Sequence, residues 1–246
     1  MKIDLNCDLG ESFGRYSLGH DEALMPLITS ANVACGFHAG DPVVMETTAR
    51  LALKWKVAIG APPGYADLQG FGRREMGLSE EEVESSVLYQ VGALAAFARD
   101  GGAEVIHVKP HGALYNQAAK DRALAGAVAR GVARFSKNLI LVGLAGSVLI
   151  EAGAEAGLRV ANEAFPDRAY NADGSLMSRR LPGSVLESPG EVAAQALRLI
   201  NEGARGVPIH TLCIHGDTPA AVDNAKAVRT ALEAAGIEIQ TMARSV

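Results

Sequence analysis

One short turn of the chain carries a cation, an imidazole, a phenol and an amide, in the side chains of Lys109, His111, Tyr115 and Asn116. The segment before this turn, residues 104–108, is apolar and β-branched and is typical of a buried strand. The segment after it, residues 117–135, is rich in alanine and predicts a helix. A solvated loop does not require this mixture of side chains. We therefore interpret the turn as one wall of an active site.

Charged and imidazole side chains also follow other predicted strands. Asp8 follows the first, His38 the second, Glu163 and Asp167 the sixth, and His215 the seventh. In parallel α/β folds, the turns after the carboxyl ends of the strands gather at one face, where ligands bind. The turns before the strands carry little chemistry, and this asymmetry indicates an enzyme. We assign catalytic roles to Asp8, His38, Lys109, His111, Glu163 and His215.

These side chains suit proton transfer and charge stabilisation. Burial or a neighbouring like charge raises the pKa of a carboxyl group, which would make Asp8 or Glu163 a general acid or base. The histidines could share the proton transfers, and Lys109 suits stabilisation of an oxyanion or a phosphate. Three of these side chains together with Asp8 could also hold a metal ion, but their spacing matches no local metal motif. The sequence leaves the metal unknown.

Other polar residues have a simpler structural interpretation. Asp41 and Asp217 precede helices that start with proline, so we predict N-caps there in preference to catalytic groups. The three cysteines are far apart and form no C-x-x-C pair, and we interpret them as buried packing residues. Three histidines outside the clustered turns are interpreted as structural or surface residues, namely His20, His107 and His210.

A long loop after the third predicted strand contains Arg73 and Arg74 behind a Gly-Phe-Gly segment. A loop of this length suggests an active-site flap. The arginines are equally consistent with solvated charges and with binding of a substrate carboxylate or phosphate. No G-x-x-x-x-G-K-[ST] phosphate loop is present, and Ser147 lacks the G-x-S-x-G context of a serine hydrolase.

Strand and helix signals alternate along the whole chain. Seven strands are predicted at 2–6, 30–34, 57–60, 104–108, 139–142, 158–161 and 211–214, with a final edge strand at 237–240. Capping signals place helix starts at Asp41, at Ser79 with Glu82, and at Ser188, and Thr218 opens the last long helix. The alternation favours parallel strands with helices outside. We predict an α/β fold, a seven- or eight-stranded and irregular (β/α) barrel spanning residues 1–246 as a single domain, with an open doubly wound sheet as the alternative.

Composition excludes several partners. The chain has 246 residues, 48% of them hydrophobic, and a net charge of −5, which argues against nucleic acid or an anionic membrane as the main partner. No segment approaches the ~20 apolar residues of a membrane span, and the first residues lack the apolar run of a signal peptide. With an odd number of separated cysteines, we expect a reduced, cytoplasmic protein.

Six segments of the chain resemble the LamB/YcsF family, whose members form the A subunit of bacterial 5-oxoprolinase. They are residues 4–11 (DLNCDLGE), 30–42 (SANVACGFHAGDP), 70–74 (GFGRR), 109–116 (KPHGALYN), Asp167-Arg168 with Tyr170, and 215–217 (HGD). The segments cover nearly the full length in the order of the family.

This resemblance implies a barrel of the glycoside hydrolase/deacetylase type. It also implies ATP-dependent opening of 5-oxoproline to L-glutamate, carried out together with subunits B and C. The absence of a nucleotide loop fits a division of labour in which the partners share the ATP chemistry. A lactam carbonyl is a poor electrophile, and phosphorylation of its oxygen would allow attack by water. We assign substrate binding to Asn6, Asn32, Arg73, Arg74, Tyr115, Asn116, Asp167, Arg168 and Asp217.

One position departs from the family pattern. The family typically reads Gly-Ala-His-Pro where this chain has Gly60-Ala61-Pro62-Pro63, so an imidazole is missing at Pro62. Two other functions remain open from the sequence. One is a stand-alone, metal-dependent amide hydrolase or deacetylase, and the other is a non-catalytic protein that binds a small carboxylate within the assembly.

Overall fold

The structure is a computed structural model that describes residues 1–179, 181–244 and 246. Within these residues, seven parallel strands close into a barrel: β1 (Lys2–Leu9), β2 (Ser30–Val33), β3 (Ala58–Ala61), β4 (Val105–Val108), β5 (Ile140–Leu144), β6 (Arg159–Ala164) and β7 (Thr211–Cys213). Each strand pairs with the next in sequence, and β1 pairs with both β7 and β2 to complete the ring. The predicted (β/α) barrel is confirmed. A short eighth strand, β8 (Glu238–Ile239), pairs with the start of β1 outside the ring.

Helices lie between the strands and cover the barrel. They are α1 (Asp21–Leu24), α2 (Pro42–Trp55), α3 (Glu80–Asp100), α4 (Gly112–Ala118), α5 (Arg122–Phe135), α6 (Val148–Glu155), α7 (Pro189–Glu202) and α8 (Ala221–Ala234). The apolar faces of these helices and the outward side chains of the strands form the main core. No helix in the described part of the chain is long and apolar enough to cross a membrane.

Local capping chemistry agrees with the sequence prediction at two helices and differs from it at three places. The Asp41 side chain accepts the Val43 and Val44 N–H groups at the start of α2, and Ser79 and Glu82 form the predicted capping box of α3.

The three differences all concern the residue at which a helix begins. The helix predicted over 117–135 is broken into α4 and α5, because Asp121 accepts the Leu124 N–H and starts a new helix. Ser188 makes no side-chain cap at α7, and α8 begins after Ala220, so Asp217 is not an N-cap.

The barrel interior is polar because of the alternation of side chains along β1. Asp4, Asn6 and Asp8 face inward, whereas Leu5 and Cys7 pack against the helices in the main core. Strand β1 continues to Leu9, past its predicted end at Asn6, which places Asp8 within the strand and not after it. Glu163 likewise lies within β6. The two carboxylates therefore point into the barrel from its wall.

Asp4 lies in the interior at the amino-terminal end of the barrel. Its carboxylate accepts hydrogen bonds from the hydroxyls of Thr29, Ser30 and Thr211 and from the Met242 N–H. Burial raises the pKa of Asp4 to about 6, although these four bonds favour the charged form.

Stability should fall as the pH rises through the ionisation range of Asp4. Its pKa is 3.8 when unfolded and about 6 when folded, so between these values the folded state holds a proton that the unfolded chain has lost. The protonated Asp4 makes its full contribution to the free energy of unfolding below pH ~4. This contribution is lost by pH ~6, which lowers the free energy of unfolding by about 3 kcal/mol. Urea unfolding of wild type and Asp4→Asn across this range measures it. The stability of the wild type relative to the variant should decrease with pH, and a difference that stays constant would contradict the assignment. Asp100→Asn, at an exposed helix end, should leave the pH dependence unchanged.

Candidate active site

Two asparagines form a fully buried layer beneath the barrel mouth, by which we mean the carboxyl ends of β1–β7. The Asn6 amide donates to Glu163 Oε1 at 2.8 Å and to Thr211 Oγ1 at 2.7 Å. The Asn32 amide donates to Asn6 Oδ1 at 2.8 Å and to Asp8 Oδ1 at 2.7 Å. Because these polar groups are satisfied inside the protein, Asn6 and Asn32 position the site from below and do not face its opening.

His107 completes this layer. Burial lowers the pKa of His107 to about 3, so the ring is neutral, and its Nε2–H donates to Asn32 Oδ1 at 2.7 Å. Its ring occupies the space next to Gly60, where an added Cβ would overlap the imidazole. The structural role predicted for His107 agrees with this location, although it lies closer to the site than the sequence indicates.

Lys109 carries a buried cation at the centre of the site. Its Nζ lies 2.9 Å from Glu163 Oε1, 3.4 Å from Asp8 Oδ1, 3.1 Å from Asn6 Oδ1 and 2.9 Å from Cys213 Sγ. Burial opposes the charge, but the anionic neighbours, Asp8 above all, outweigh it and hold the pKa of Lys109 well above its usual value. The ammonium group is thus fully engaged with the protein.

Asp8 is the carboxylate that reaches furthest towards the opening. Burial alone would raise its pKa, but the charge of Lys109 and the imidazoles of His111 and His215 outweigh burial and hold the pKa of Asp8 well below its usual range. The carboxyl group is 12% exposed, compared with none for Glu163. Asp8 is therefore an ionised acid that a ligand in the mouth can reach.

A second cluster lies beside Asp8 and consists of Glu11, His38 and His111. Glu11 Oε1 is 3.9 Å from His38 Nε2 and 3.7 Å from His111 Nε2, and the two imidazole rings stack at 3.8 Å. Burial lowers the pKa of both histidines, that of His38 to about 4, and burial together with the charge of Asp8 raises the pKa of Glu11 well above normal. Each of these shifts favours the uncharged form of the side chain.

The loop after β3 covers this cluster, as the predicted flap should. The Phe71 ring meets the edges of both imidazoles, with centroids 5.9 Å from His38 and 5.5 Å from His111. The Arg73 guanidinium lies over the Phe71 ring and pairs with Asp217 at 2.6 Å, with its side chain 37% exposed. Arg73 is thus a cation at the rim of the mouth.

Gly72 fixes the position of this flap. It has φ +66°, and an added Cβ would lie 2.7 Å from His38 Cβ. We expect Gly72→Ala to lower the free energy of unfolding by about 2 kcal/mol and turnover by about tenfold, because the left-handed backbone is strained and Phe71 is displaced. Thermal unfolding and turnover measure the two effects. Gly77→Ala is the matched control, since nothing lies within 4 Å of a Cβ at Gly77. Equal stability and equal turnover of the Gly72→Ala and Gly77→Ala variants would show that Gly72 does not fix the flap.

His215 and Asp167 form a hydrogen-bonded pair on the opposite side of the mouth. Asp167 Oδ2 accepts the His215 backbone N–H at 3.2 Å and lies 2.8 Å from Nδ1. A proton on Nδ1 leaves Nε2 as the acceptor nitrogen of the neutral ring. The ring stacks on Phe165, and Tyr115 meets Phe165 edge-on next to Glu163. The contact with Asp167 therefore fixes the tautomer of the neutral His215 ring.

Three residues assigned to substrate binding are held away from this cluster. Arg74 is bound to the flap carboxylate of Asp67, and its side chain is 58% exposed. Asn116 is exposed and donates to the Gly112 carbonyl. Arg168 is buried and donates to the backbone carbonyls of Met177 and Ser184, so it shapes the loop after β6.

Sequence reasoning missed Glu11. Glu11 is the last residue of the 4–11 segment that resembles the family, but its type and position do not show that it meets two histidines from other strands. Gly10, with φ +70°, lets the chain leave the direction of β1 at this point. A carboxylate after a glycine at a strand end is the only local signal.

Pro62 is buried at the end of β3, between two contacts that position the site. The Ala61 carbonyl accepts the Lys109 N–H, and the Pro63 carbonyl accepts the His111 N–H. Pro62 therefore adjoins both catalytic candidates of the turn after β4, Lys109 and His111.

Comparison with known proteins shows the family of the chain and agrees with its fold. The LamB/YcsF family model matches residues 3–246. The chain is 55% identical to the 5-oxoprolinase A subunit of Symbiobacterium thermophilum over 246 residues, 97% of this chain and 94% of that protein. The crystal structure of the lactam utilization protein from Thermus thermophilus superposes with a TM-score of 0.92 at 51% identity, covering 98% of this chain and 99% of that one. A peptidoglycan N-acetylglucosamine deacetylase shares the fold alone, with a TM-score of 0.50, 10% identity and coverage of 97% and 84%.

Proposed function

The chain belongs to the LamB/YcsF family, and from that premise we propose that it is the A subunit of an ATP-dependent 5-oxoprolinase. In this proposal it opens the lactam ring of 5-oxoproline to give L-glutamate, together with subunits B and C. The similarity to proteins of that name extends over nearly the full length of both chains. The observation that carries the chemistry is the ionised carboxylate of Asp8, held against the buried cation of Lys109 at the mouth of the barrel.

Opening a lactam requires a nucleophile at the carbonyl carbon and a proton for the departing nitrogen. Asp8 is ionised and accessible, so it can accept a proton from water as a C–O bond forms. In its imidazolium form, His215 would keep the Nδ1–H bond to Asp167 and donate the Nε2 proton to the ring nitrogen as the C–N bond breaks. Lys109 makes its contacts within the protein and keeps Asp8 ionised, so we assign it a positioning role in place of the oxyanion contact expected from sequence.

The rim supplies a counter-charge for an anionic substrate. Arg73 is the half-exposed cation of the flap, and its partner Asp217 orients it. A guanidinium group can hold a carboxylate or phosphate in bidentate fashion. We assign the substrate carboxylate or a phosphorylated lactam oxygen to Arg73, with Tyr115 and Phe165 forming the apolar wall next to the ring.

The role of ATP follows from the weakness of a lactam carbonyl as an electrophile. Transfer of the γ-phosphoryl group of ATP to the lactam oxygen would produce a better electrophile and ADP. Addition of water and cleavage of the C–N bond would then give γ-glutamyl phosphate, which a second water hydrolyses to L-glutamate and inorganic phosphate. Since this sequence has no phosphate-binding loop, we place nucleotide binding largely in the partner subunits.

The test is glutamate formation from 5-oxoproline by this chain, with and without its B and C partners and ATP. We expect glutamate, with one ADP for each, only when all three subunits and ATP are present. Turnover by the chain alone without ATP would replace the proposal with a stand-alone amide hydrolase. Binding of 5-oxoproline by the chain, with no glutamate from the assembled system, would indicate a protein that only binds carboxylates.

A further inference from the structure

The cluster of Glu11, His38 and His111 has more polar atoms than the surrounding protein satisfies. Both ring nitrogens of His38 and Nδ1 of His111 are buried and have no hydrogen-bond partner among the described residues. Buried polar groups are nearly always paired, and leaving one unpaired costs about 1–3 kcal/mol. His38 therefore has two buried ring nitrogens available to a ligand, whereas the ring nitrogen of His111 that faces Glu11 is Nε2.

The three side chains are arranged as ligands of one ion. One donor atom from each lies within 4.8 Å of the other two, and all three residues are buried. Ligand bonds of 2.0–2.2 Å in a tetrahedral zinc site place donor atoms about 3.4 Å apart. The observed 3.7 and 3.9 Å from Glu11 to the two imidazoles thus require a contraction of only a few tenths of an ångström.

The surroundings favour a cation of charge two. Asp8 Oδ2 lies 4.0 Å from His111 Nε2 and adds a second carboxylate next to the cluster. Two cations of opposite effect are each paired with a carboxylate: Arg73 with Asp217 at the rim, and Lys109 with Asp8 and Glu163 beneath the mouth. The rings of His38 and His111 are close to parallel, at 9°, so one ring must tilt for both nitrogens to point at one ion.

We propose that Glu11, His38 and His111 bind one divalent transition-metal ion, with Zn²⁺ as the preferred occupant. Two imidazoles and one carboxylate are a donor set found in catalytic zinc sites that keep an open position. No cysteine thiol belongs to this proposed site, because its three donor atoms are imidazole nitrogens and a carboxylate oxygen. The inference goes beyond the proposed function, because metal binding can be measured without any turnover.

The test uses the full-length chain after removal of metal by a chelator. We expect one equivalent of Zn²⁺ to bind in a calorimetric titration, and Co²⁺ to give a visible spectrum without the intense thiolate charge-transfer band of a cysteine site. Metal should also raise the melting temperature. A wild-type chain that binds neither ion tighter than about 100 µM would overturn the proposal.

Substitution locates the bound ion. His38→Gln, His111→Gln and Glu11→Gln should each weaken Zn²⁺ binding by roughly 100-fold or more. His20→Gln, at an exposed histidine, is the matched control and should bind as the wild type does. Unchanged affinity in the three variants would place the metal elsewhere and refute the site. Should a variant fail to fold, the Co²⁺ spectrum of the wild type still decides between nitrogen–oxygen and thiolate ligands.

Discussion

Replacing Lys109 with methionine should abolish most of the turnover and destabilise the fold at the same time. The substitution leaves Glu163 fully buried and Asp8 nearly so, without the cation that both carboxylates contact. Loss of one partner from a buried ion pair costs about 3–5 kcal/mol. We expect a melting temperature lower by roughly 10 °C and glutamate formation by the assembled enzyme lower by about 10³-fold, because Asp8 no longer stays ionised.

Two further variants test this explanation. Lys120→Met removes an exposed lysine beyond α4 and should change neither stability nor turnover. The double variant Lys109→Met/Glu163→Gln should regain part of the stability, because the uncompensated carboxylate is replaced by an amide, while turnover remains low. A double variant no more stable than Lys109→Met would show that the ion pair is not the source of the effect.

The second large effect is expected for Asp8→Asn. Asparagine has the same shape and still accepts a hydrogen bond from Asn32 through its Oδ1, but it cannot accept a proton from water. We expect turnover to fall about 10³-fold, as is usual on removal of a general base. The melting temperature should change less than in Lys109→Met, since Lys109 keeps Glu163 as a partner.

The measurement is turnover of 5-oxoproline by the assembled enzyme, together with affinity for 5-oxoproline in the absence of ATP. Affinity should change far less than turnover if Asp8 performs a chemical step. Asp223→Asn, at an exposed position of α8, serves as the control. A loss of affinity equal to the loss of turnover would instead assign Asp8 to ligand binding.

The two variants separate the functions of neighbouring groups. Lys109 makes its contacts inside the barrel, so we expect its substitution to affect both the fold and the reaction. Asp8 lies at the opening, so we expect its substitution to affect mainly the reaction. This division follows from their exposure, because side chains packed beneath the mouth stabilise the barrel while those at its surface can reach a ligand.

The sequence by itself determined the fold class and the face that carries the site. Alternation of strand and helix signals indicated a parallel barrel, and the accumulation of Asp8, Lys109, His111 and His215 near strand ends indicated a common mouth. Caps such as Asp41 and Ser79 were also readable, because a cap depends on neighbours three residues away. These features depend on local spacing, which a single sequence contains.

Only the tertiary structure decided which of these groups meet and which are engaged inside the protein. Asn6 and Glu163 are 157 residues apart in sequence and share a hydrogen bond because closure of the ring brings β1 and β6 to one interior. Glu11 joins two histidines from other strand ends, and Asp217 pairs with Arg73 of the flap instead of capping a helix. Such contacts depend on how far each strand extends, how each side chain is rotated and how the loops fold over the mouth. None of these is encoded in the spacing of neighbouring residues, because they result from packing of the whole barrel.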